Sequence, residues 1–416
     1  MTRAAKNGRF LGPVADGRKM FAVPTSIARS LIAASCCALG LVLAGPLRAG
    51  GQVSVEDLRA FADAWGYIKE NFVEELDDRR LLEAAIRGML SELDEHSAWL
   101  SGDDLGRVEE QASGRYGGLG LRIVVQDDHL RVVEAMGNSP AQRAGLVTDD
   151  RIVAINDTKL NASNSREALN WLRGSPGSRV ELIIERDDEA EPRYVVLHRE
   201  LINRSSVSLE PLEDGYWRLH IRQFQHNTAD ELDQLLSALR ADHGLPSGLV
   251  LDLRDNPGGV LQAAVAVADR FLSGQLVVYT EGRNEGQNLS LDSSIGESLP
   301  GVPVVVLINR GSASAAEIVA GALQDHGRAI VLGQRSHGKG SIQTVWPLRN
   351  GGGVRLTTAR YYTPSGRRIE AAGIEPDELI NDEDMHQGNG SDPVLARALQ
   401  LFRSAERLYR GSGQLE

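Results

Sequence analysis

The sequence predicts a multidomain protein of mixed class: α+β in its middle third and α/β beyond it, behind a helical segment and a leader. Three observations lead there. At 416 residues the chain exceeds one small domain and suits two or three. At Gly114 the texture changes from helical periodicity to short strands and turns. From residue 201 onward, continuous apolar strands alternate with amphipathic helices, as in a sheet covered on its faces. Hydrophobic residues at 42% and charged residues at 25% are ordinary for a chain that buries a core, and exclude a disordered or multi-span membrane protein. Forty-five cations against 57 acids give a net charge of -12, which argues against nucleic acid as the main partner.

Residues 1–49 read as a leader. They carry seven cations and one acid, then an apolar run from Leu31 to Leu43 and the small-residue stretch Gly45-Pro46-Leu47-Arg48-Ala49. That order describes a secretory signal peptide. An uncleaved anchor over 31–47 is the alternative, although the run is short of the roughly 20 residues that span a bilayer. Both cysteines, Cys36 and Cys37, fall inside the run, so the exported protein would have no thiol. Export to a bacterial periplasm is the expectation.

Residues 50–113 are expected to form a helical N-terminal subdomain. Val55, Leu58, Phe61, Trp65 and Ile68 recur at helical spacing, as do Leu82, Ala85, Ile86, Met89 and Leu90. Over 114–200, Gly117-Gly118-Leu119-Gly120-Leu121 leads into strands at 122–125 and 130–134. A single helical turn follows at Ser139 to Leu146, then a strand at 150–156, a helix at 165–173 and strands at 179–185 and 194–197. Over 201–380, strands at 217–221, 248–253, 302–308 and 329–333 alternate with helices at 229–240, 260–272 and 315–325. A tail, 381–416, adds an amphipathic helix at 392–407 that could dock on its own chain or form an assembly contact.

Three segments could carry chemistry. Ser312-Ala313-Ser314-Ala315-Ala316-Glu317 lies between a buried strand and a helix; Ser314 and Glu317 fit a capping box. Alternatively Ser314 is a nucleophile, with the Ala315 amide and the helix dipole supporting an oxyanion. In Ser336-His337-Gly338-Lys339-Gly340-Ser341-Ile342-Gln343, a lysine sits between two glycines. If the stretch is a strand, Lys339 and Gln343 share a face and the glutamine amide can orient the amine. Such a lysine acts as a base only when burial lowers its pKa. Spacing excludes a Walker phosphate loop. The third segment, Asp255-Asn256-Pro257-Gly258-Gly259, is a turn in which Gly258 or Gly259 could offer a second oxyanion amide. No His pattern suits a metal site; His337 lies beside the candidate site without an evident orienting acid.

Taken together these segments resemble the C-terminal-processing, or tail-specific, serine peptidases over nearly all of residues 55–380. Leu93-Asp94-Glu95-His96-Ser97, the Ser312–Glu317 box, Lys339 twenty-five residues after Ser314, Gln343, Gly258-Gly259 and the stretch from Leu356 to Asp377 match the family's motifs. "SPAQRAGLVTDDRIVAIND" resembles the central segment of a PDZ domain. Ala316 departs from the family's third serine in the box. The resemblance implies an α/β peptidase core of the ClpP/crotonase-like type, a Ser314–Lys339 dyad supported by Gln343, and oxyanion amides from Ala315 and Gly259 or Gly258. It also implies a PDZ domain that binds apolar C-terminal tails of protein or peptide substrates at Gly118, Leu119 and Gly120 and gates the peptidase site, with no cofactor. An activating adaptor and a homo-oligomeric state are left open, and a catalytically silent PDZ tail receptor is the alternative function.

Overall fold

The computed structural model describes residues 53–380 and 392–412. The leader over 1–49 and the polar stretch from Asn381 to Ser391 lie outside the described residues. The chain falls into two units, one ending at Asp78 and one beginning at Arg79.

The first unit contributes helix α1 (Val55–Asn71). Ser54 caps it, its Oγ accepting the Asp57 N–H at 3.0 Å and so satisfying one of the free first-turn amides. The apolar stripe expected from the sequence is present, yet no α1 residue is buried, and Leu58, Phe61 and Ile68 stay exposed. Periodicity here makes a helix without making a core.

Helix α2 (Asp78–Ser91) runs into the second unit, followed by β1 (Ala98–Leu100) and α3 (Gly102–Ser113). The strand departs from the all-helical expectation for this region. Helix α3 begins in a capping box between Ser101 and Asp104 and ends at Gly114 in the left-handed conformation, φ +69°.

Next comes a module of β2 (Arg115–Gly118), β3 (Leu121–Val125), β4 (Leu130–Ala135), α4 (Pro140–Arg143), β5 (Arg151–Ile155), β6 (Thr158–Lys159), α5 (Ser165–Trp171), β7 (Arg179–Glu185), β8 (Arg193–His198) and β9 (Glu200–Asn203). Strands β3, β4, β5, β7 and β8 form one antiparallel sheet with β6 appended to β5, and β2 pairs separately with β9. Alternation explains the burial: Val180, Leu182 and Ile184 point inward from β7 while their neighbours face out. This is the architecture expected of a PDZ domain.

The rest is α/β: β10 (Val207–Pro211), β11 (Tyr216–Ile221), α6 (Thr228–His243), β12 (Gly248–Asp252), α7 (Leu261–Asp269), β13 (Leu276–Gly282), β14 (Ser290–Asp292), β15 (Val304–Ile308), α8 (Ala315–Asp325), β16 (Ala329–Gly333), β17 (Ser341–Pro347), β18 (Gly353–Tyr362), β19 (Glu378–Leu379) and α9 (Pro393–Ser412). The main sheet runs β10-β11-β12-β15-β16-β19, parallel except for β10 against β11. Every residue of β12 and β15 is buried, because helices cover both faces. Side chains of α6, α7 and α8 form the core on one face; α9 packs on the other. A second, antiparallel sheet, β1-β18-β13-β14 with β17 on β18, draws β1 into the same body.

Helix α9 docks intramolecularly. Val394, Ala398 and Phe402 are buried against Tyr216, Val250, Val305 and Leu332, the Phe402 ring 5.0 Å from that of Tyr216. Arg254 anchors the helix start, holding Asp392 through both carboxylate oxygens at 3.0 and 2.7 Å. Phe402→Ala is therefore expected to cost about 3–5 kcal/mol, read as a lowered urea midpoint; an unchanged midpoint would mean the helix contributes nothing to the fold.

Candidate active site

Adjacent parallel strands β12 and β15 end at the same edge of the sheet, and the loops leaving them carry the candidate residues, as ligand sites of open α/β sheets do. Ser314 sits at the junction of the β15 loop with α8, at φ 55° and ψ -115°. Such a backbone costs a non-glycine residue of order 1–3 kcal/mol and persists only where neighbours impose it. They do so here. Fully buried Ser312 accepts the Asn309 N–H at 3.0 Å and donates to the Leu253 carbonyl at 2.8 Å. The Ala313 N–H donates to the Asn256 carbonyl at 2.9 Å, tying the serine loop to the glycine turn. The Ser314 N–H donates to Glu317 Oε2 at 2.7 Å, the glutamate half of the capping box.

Glu317 is fully buried and does more than cap its helix. Its Oε2 also accepts the Lys339 N–H at 2.9 Å, so one oxygen holds the backbones of both Ser314 and Lys339. Its Oε1 accepts the Ser336 hydroxyl and the Gly338 N–H, each at 2.6 Å. Four donors compensate a carboxylate that burial alone would penalise by several kcal/mol. The sequence reading treats Glu317 as a cap alone; the missed signal is that the Ser336–Lys339 loop needs an acceptor for its buried amides.

Burial holds the Lys339 amine below the ordinary value of 10.5, and the Arg355 charge pushes the same way; Glu370 and Glu317 oppose it. Tyr361 donates its hydroxyl to the Lys339 carbonyl. Among the described residues the Lys339 Nζ makes no hydrogen bond or ion pair, so serine and lysine share a backbone frame without a side-chain bond.

Two expectations are corrected. Gln343 does not orient Lys339: the strand starts only at Ser341, and its register against β18 shifts between Ile342 and Gln343. Its amide nitrogen instead donates to the Ser341 hydroxyl at 3.0 Å and the Ser341 carbonyl at 3.2 Å. Gly258 is not the free oxyanion amide, since its N–H donates to Asn256 Oδ1 at 2.9 Å. Gly259 is the unengaged one. Phe224 bridges the turn through the Gly258 carbonyl and the Val260 N–H, and neither the Gly259 nor the Ala315 N–H has an acceptor among the described residues. Gly258 matters for space: a β-carbon there would lie 2.6 Å from the Ser314 Cβ and 3.0 Å from the Ala315 nitrogen, at φ +100°. Exposed His337 enters the site only through its N–H, which donates to the Ser312 carbonyl at 2.9 Å.

Gly118, Leu119 and Gly120 line a groove of about 780 Å³ with Leu121 and Ile123 of β3 and Leu169 of α5. No group of His, Cys, Asp and Glu among the described residues is placed to hold a metal.

Fold and site define an α/β peptidase core carrying a PDZ domain. Residues 215–380 match peptidase family S41, 117–194 a PDZ domain, and 47–101 the N-terminal domain of the activating protease CtpB. A carboxy-terminal-processing protease of Bartonella bacilliformis is 36% identical over 352 residues, 83% of this chain and 80% of its own. A carboxyl-terminal-processing protease of Synechocystis is 36% identical over 327 residues, 76% and 75% of the two chains. A solved Bacteroides fragilis protein assigned to the S41 proteases aligns at a TM-score of 0.50 and 17% identity, over 79% of this chain and 91% of its own, a likeness of fold. The chain belongs to the carboxy-terminal-processing proteases of peptidase family S41, which are serine peptidases.

Gly258→Ala is expected to push Ser314 from its place and lower peptide hydrolysis by about 100-fold or more, with an unchanged far-UV circular dichroism spectrum. Wild-type hydrolysis by this variant would remove the glycine turn from the site.

Proposed function

We propose that this protease cleaves exported proteins with a Ser314–Lys339 dyad, after its PDZ domain has captured their apolar C-terminal tails. The observation that carries this reading is the single Glu317 oxygen shared by the Ser314 and Lys339 amides, beside a lysine whose ammonium is disfavoured by burial. Neutral Lys339 takes the Ser314 proton as the hydroxyl attacks the peptide carbonyl, and the Ala315 and Gly259 amides receive the oxyanion. Lys339 then protonates the leaving amine and activates water on the acyl-enzyme. No hydrogen bond joins the Ser314 and Lys339 side chains among the described residues, so the lysine amine must approach the hydroxyl before turnover.

The tail enters the groove beside β3 as an added strand, its carboxylate end at Gly118, Leu119 and Gly120, and gates the peptidase site. The cation-rich, then apolar residues 1–49 support an exported, periplasmic enzyme.

Ser314→Ala and Lys339→Met are each expected to abolish cleavage of an apolar-tailed protein, in the presence of a metal chelator as in its absence. Cleavage surviving in either variant contradicts the dyad. The base works when neutral, so kcat/KM should rise through a limb centred below 10.5. Removing the Arg355 charge raises the lysine pKa, hence Arg355→Gln should move the limb to higher pH and Glu370→Gln to lower pH. A pH–rate profile in which neither variant moves the limb assigns it to another group.

A further inference from the structure

The Leu93–Ser97 motif lies outside the serine–lysine frame, yet its hydrogen bonds run to the strand that holds the lysine loop. Asp94 Oδ1 accepts the His96 N–H at 2.9 Å and the Ser97 N–H at 2.7 Å, which closes the stretch into a tight turn. Beyond the turn, β1 pairs with one end of β18, Ala98 opposite Arg355 and Leu100 opposite Gly353. The turn adds two contacts of its own. The Arg355 Nε donates to the His96 carbonyl at 2.9 Å, and the Thr357 N–H to the Oγ of buried Ser97 at 3.3 Å. The seat is close: a β-carbon on Gly352 would lie 2.3 Å from the Trp99 ring.

The other end of β18 holds Lys339. The Tyr361 N–H donates to the Gly340 carbonyl at 2.9 Å, and the Tyr361 hydroxyl to the Lys339 carbonyl. One strand therefore spans from the Asp94 turn to the lysine. Arg355 forms no ion pair among the described residues; Asp104, near the start of α3, acts on it from beyond ion-pair distance. Its charge is thus left to act on its surroundings. Burial lowers the Lys339 pKa most, Arg355 on β18 lowers it further, and Glu370 and Glu317, after β18 and on α8, oppose both. An arginine free to swing into solvent would lose most of that effect to the high dielectric of water.

We propose that Asp94 is a positioning residue for the peptidase reaction: the turn it caps fixes the end of β18 that carries Arg355, and so sets the distance between that guanidinium and the Lys339 amine. This deepens the dyad reading above and rests on it. The motif then serves the base from more than 240 residues away in the chain, through one turn and one strand.

The test follows kcat/KM for a peptide against pH on the full chain. Asp94→Ala, which removes the acceptor of both amides, should move the limb to higher pH, the direction expected for Arg355→Gln. Asp94→Asn keeps a carbonyl oxygen at that position and should retain the wild-type limb. The double variant Asp94→Ala/Arg355→Gln should move the limb no further than Arg355→Gln alone, because the turn acts through that arginine. Ser97→Ala removes only the Thr357 contact and, as the milder change, should shift the limb the same way. A limb unmoved in Asp94→Ala and Ser97→Ala, while Arg355→Gln moves it, overturns the inference and leaves the dyad standing. So does a shift in Asp94→Ala that adds fully to that of Arg355→Gln. A limb that Arg355→Gln also leaves in place overturns the lysine reading, and this inference with it.

Discussion

One buried carboxylate organises this molecule. Glu317 accepts the amides of Ser314, Gly338 and Lys339 and the hydroxyl of Ser336. These groups come from two loops more than twenty residues apart in the chain. Without such an acceptor the Ser336–Lys339 loop would bury donors unsatisfied, each costing about 1–3 kcal/mol, and Ser314 would lose the constraint that holds it at positive φ. With it, two strained or glycine-dependent loops become one rigid frame. A carboxylate fits the position where an amide would not, because it presents two oxygens that only accept.

The surrounding fold makes that frame possible. Parallel strands β12 and β15 deliver their C-terminal loops side by side, and Asn256 and Ser312 lace those loops together: Ser312 to the Leu253 carbonyl, Asn256 to the Ala313 and Gly258 amides. Asn256 also donates to the Ile221 carbonyl at 2.7 Å, which carries the lacing to the end of β11. The segment after β11 reaches the end of α3, just ahead of the PDZ domain, where the His226 N–H donates to the Ala112 carbonyl; the Arg204 N–H, on the strand side of the linker before β10, donates to that of Gly114. Hydrogen bonds therefore connect the Gly258-Gly259 turn, through Asn256, to the end of β11.

Much of this was legible in the sequence, for identifiable reasons. Fully apolar β12 and β15 announce a covered parallel sheet, and the alternation in β7 announces a half-buried antiparallel one. Lys339 stands out because a lysine between two glycines is an odd choice for a solvated loop, whereas Ser314 and the Gly258-Gly259 turn read equally well as a helix cap and a plain turn. What failed depended on register and on long-range partners. The face shared by Lys339 and Gln343 required a regular strand, and an irregularity at Ile342/Gln343 broke it. The choice between Gly258 and Gly259 depended on Asn256, whose side chain engages one of them. Glu317 looked local because its helix cap is local, while its partners at 336–339 are visible only in three dimensions. The helical spacing over 55–68 did announce α1, and it could say no more, since amphipathic spacing specifies a face and not what covers it.

The most direct test of the central claim is the rate at which a fluorophosphonate labels Ser314, followed by mass spectrometry on the wild type and on Glu317→Gln. Unchanged tail affinity would serve as the control for folding. If Glu317 frames the site, the wild type is labelled at Ser314, and the glutamine variant, with one acceptor oxygen exchanged for a donor, is labelled at least about 100-fold more slowly while still binding tails. Equal labelling of the two proteins would contradict the account, leaving Glu317 a helix cap and the site framed by something else.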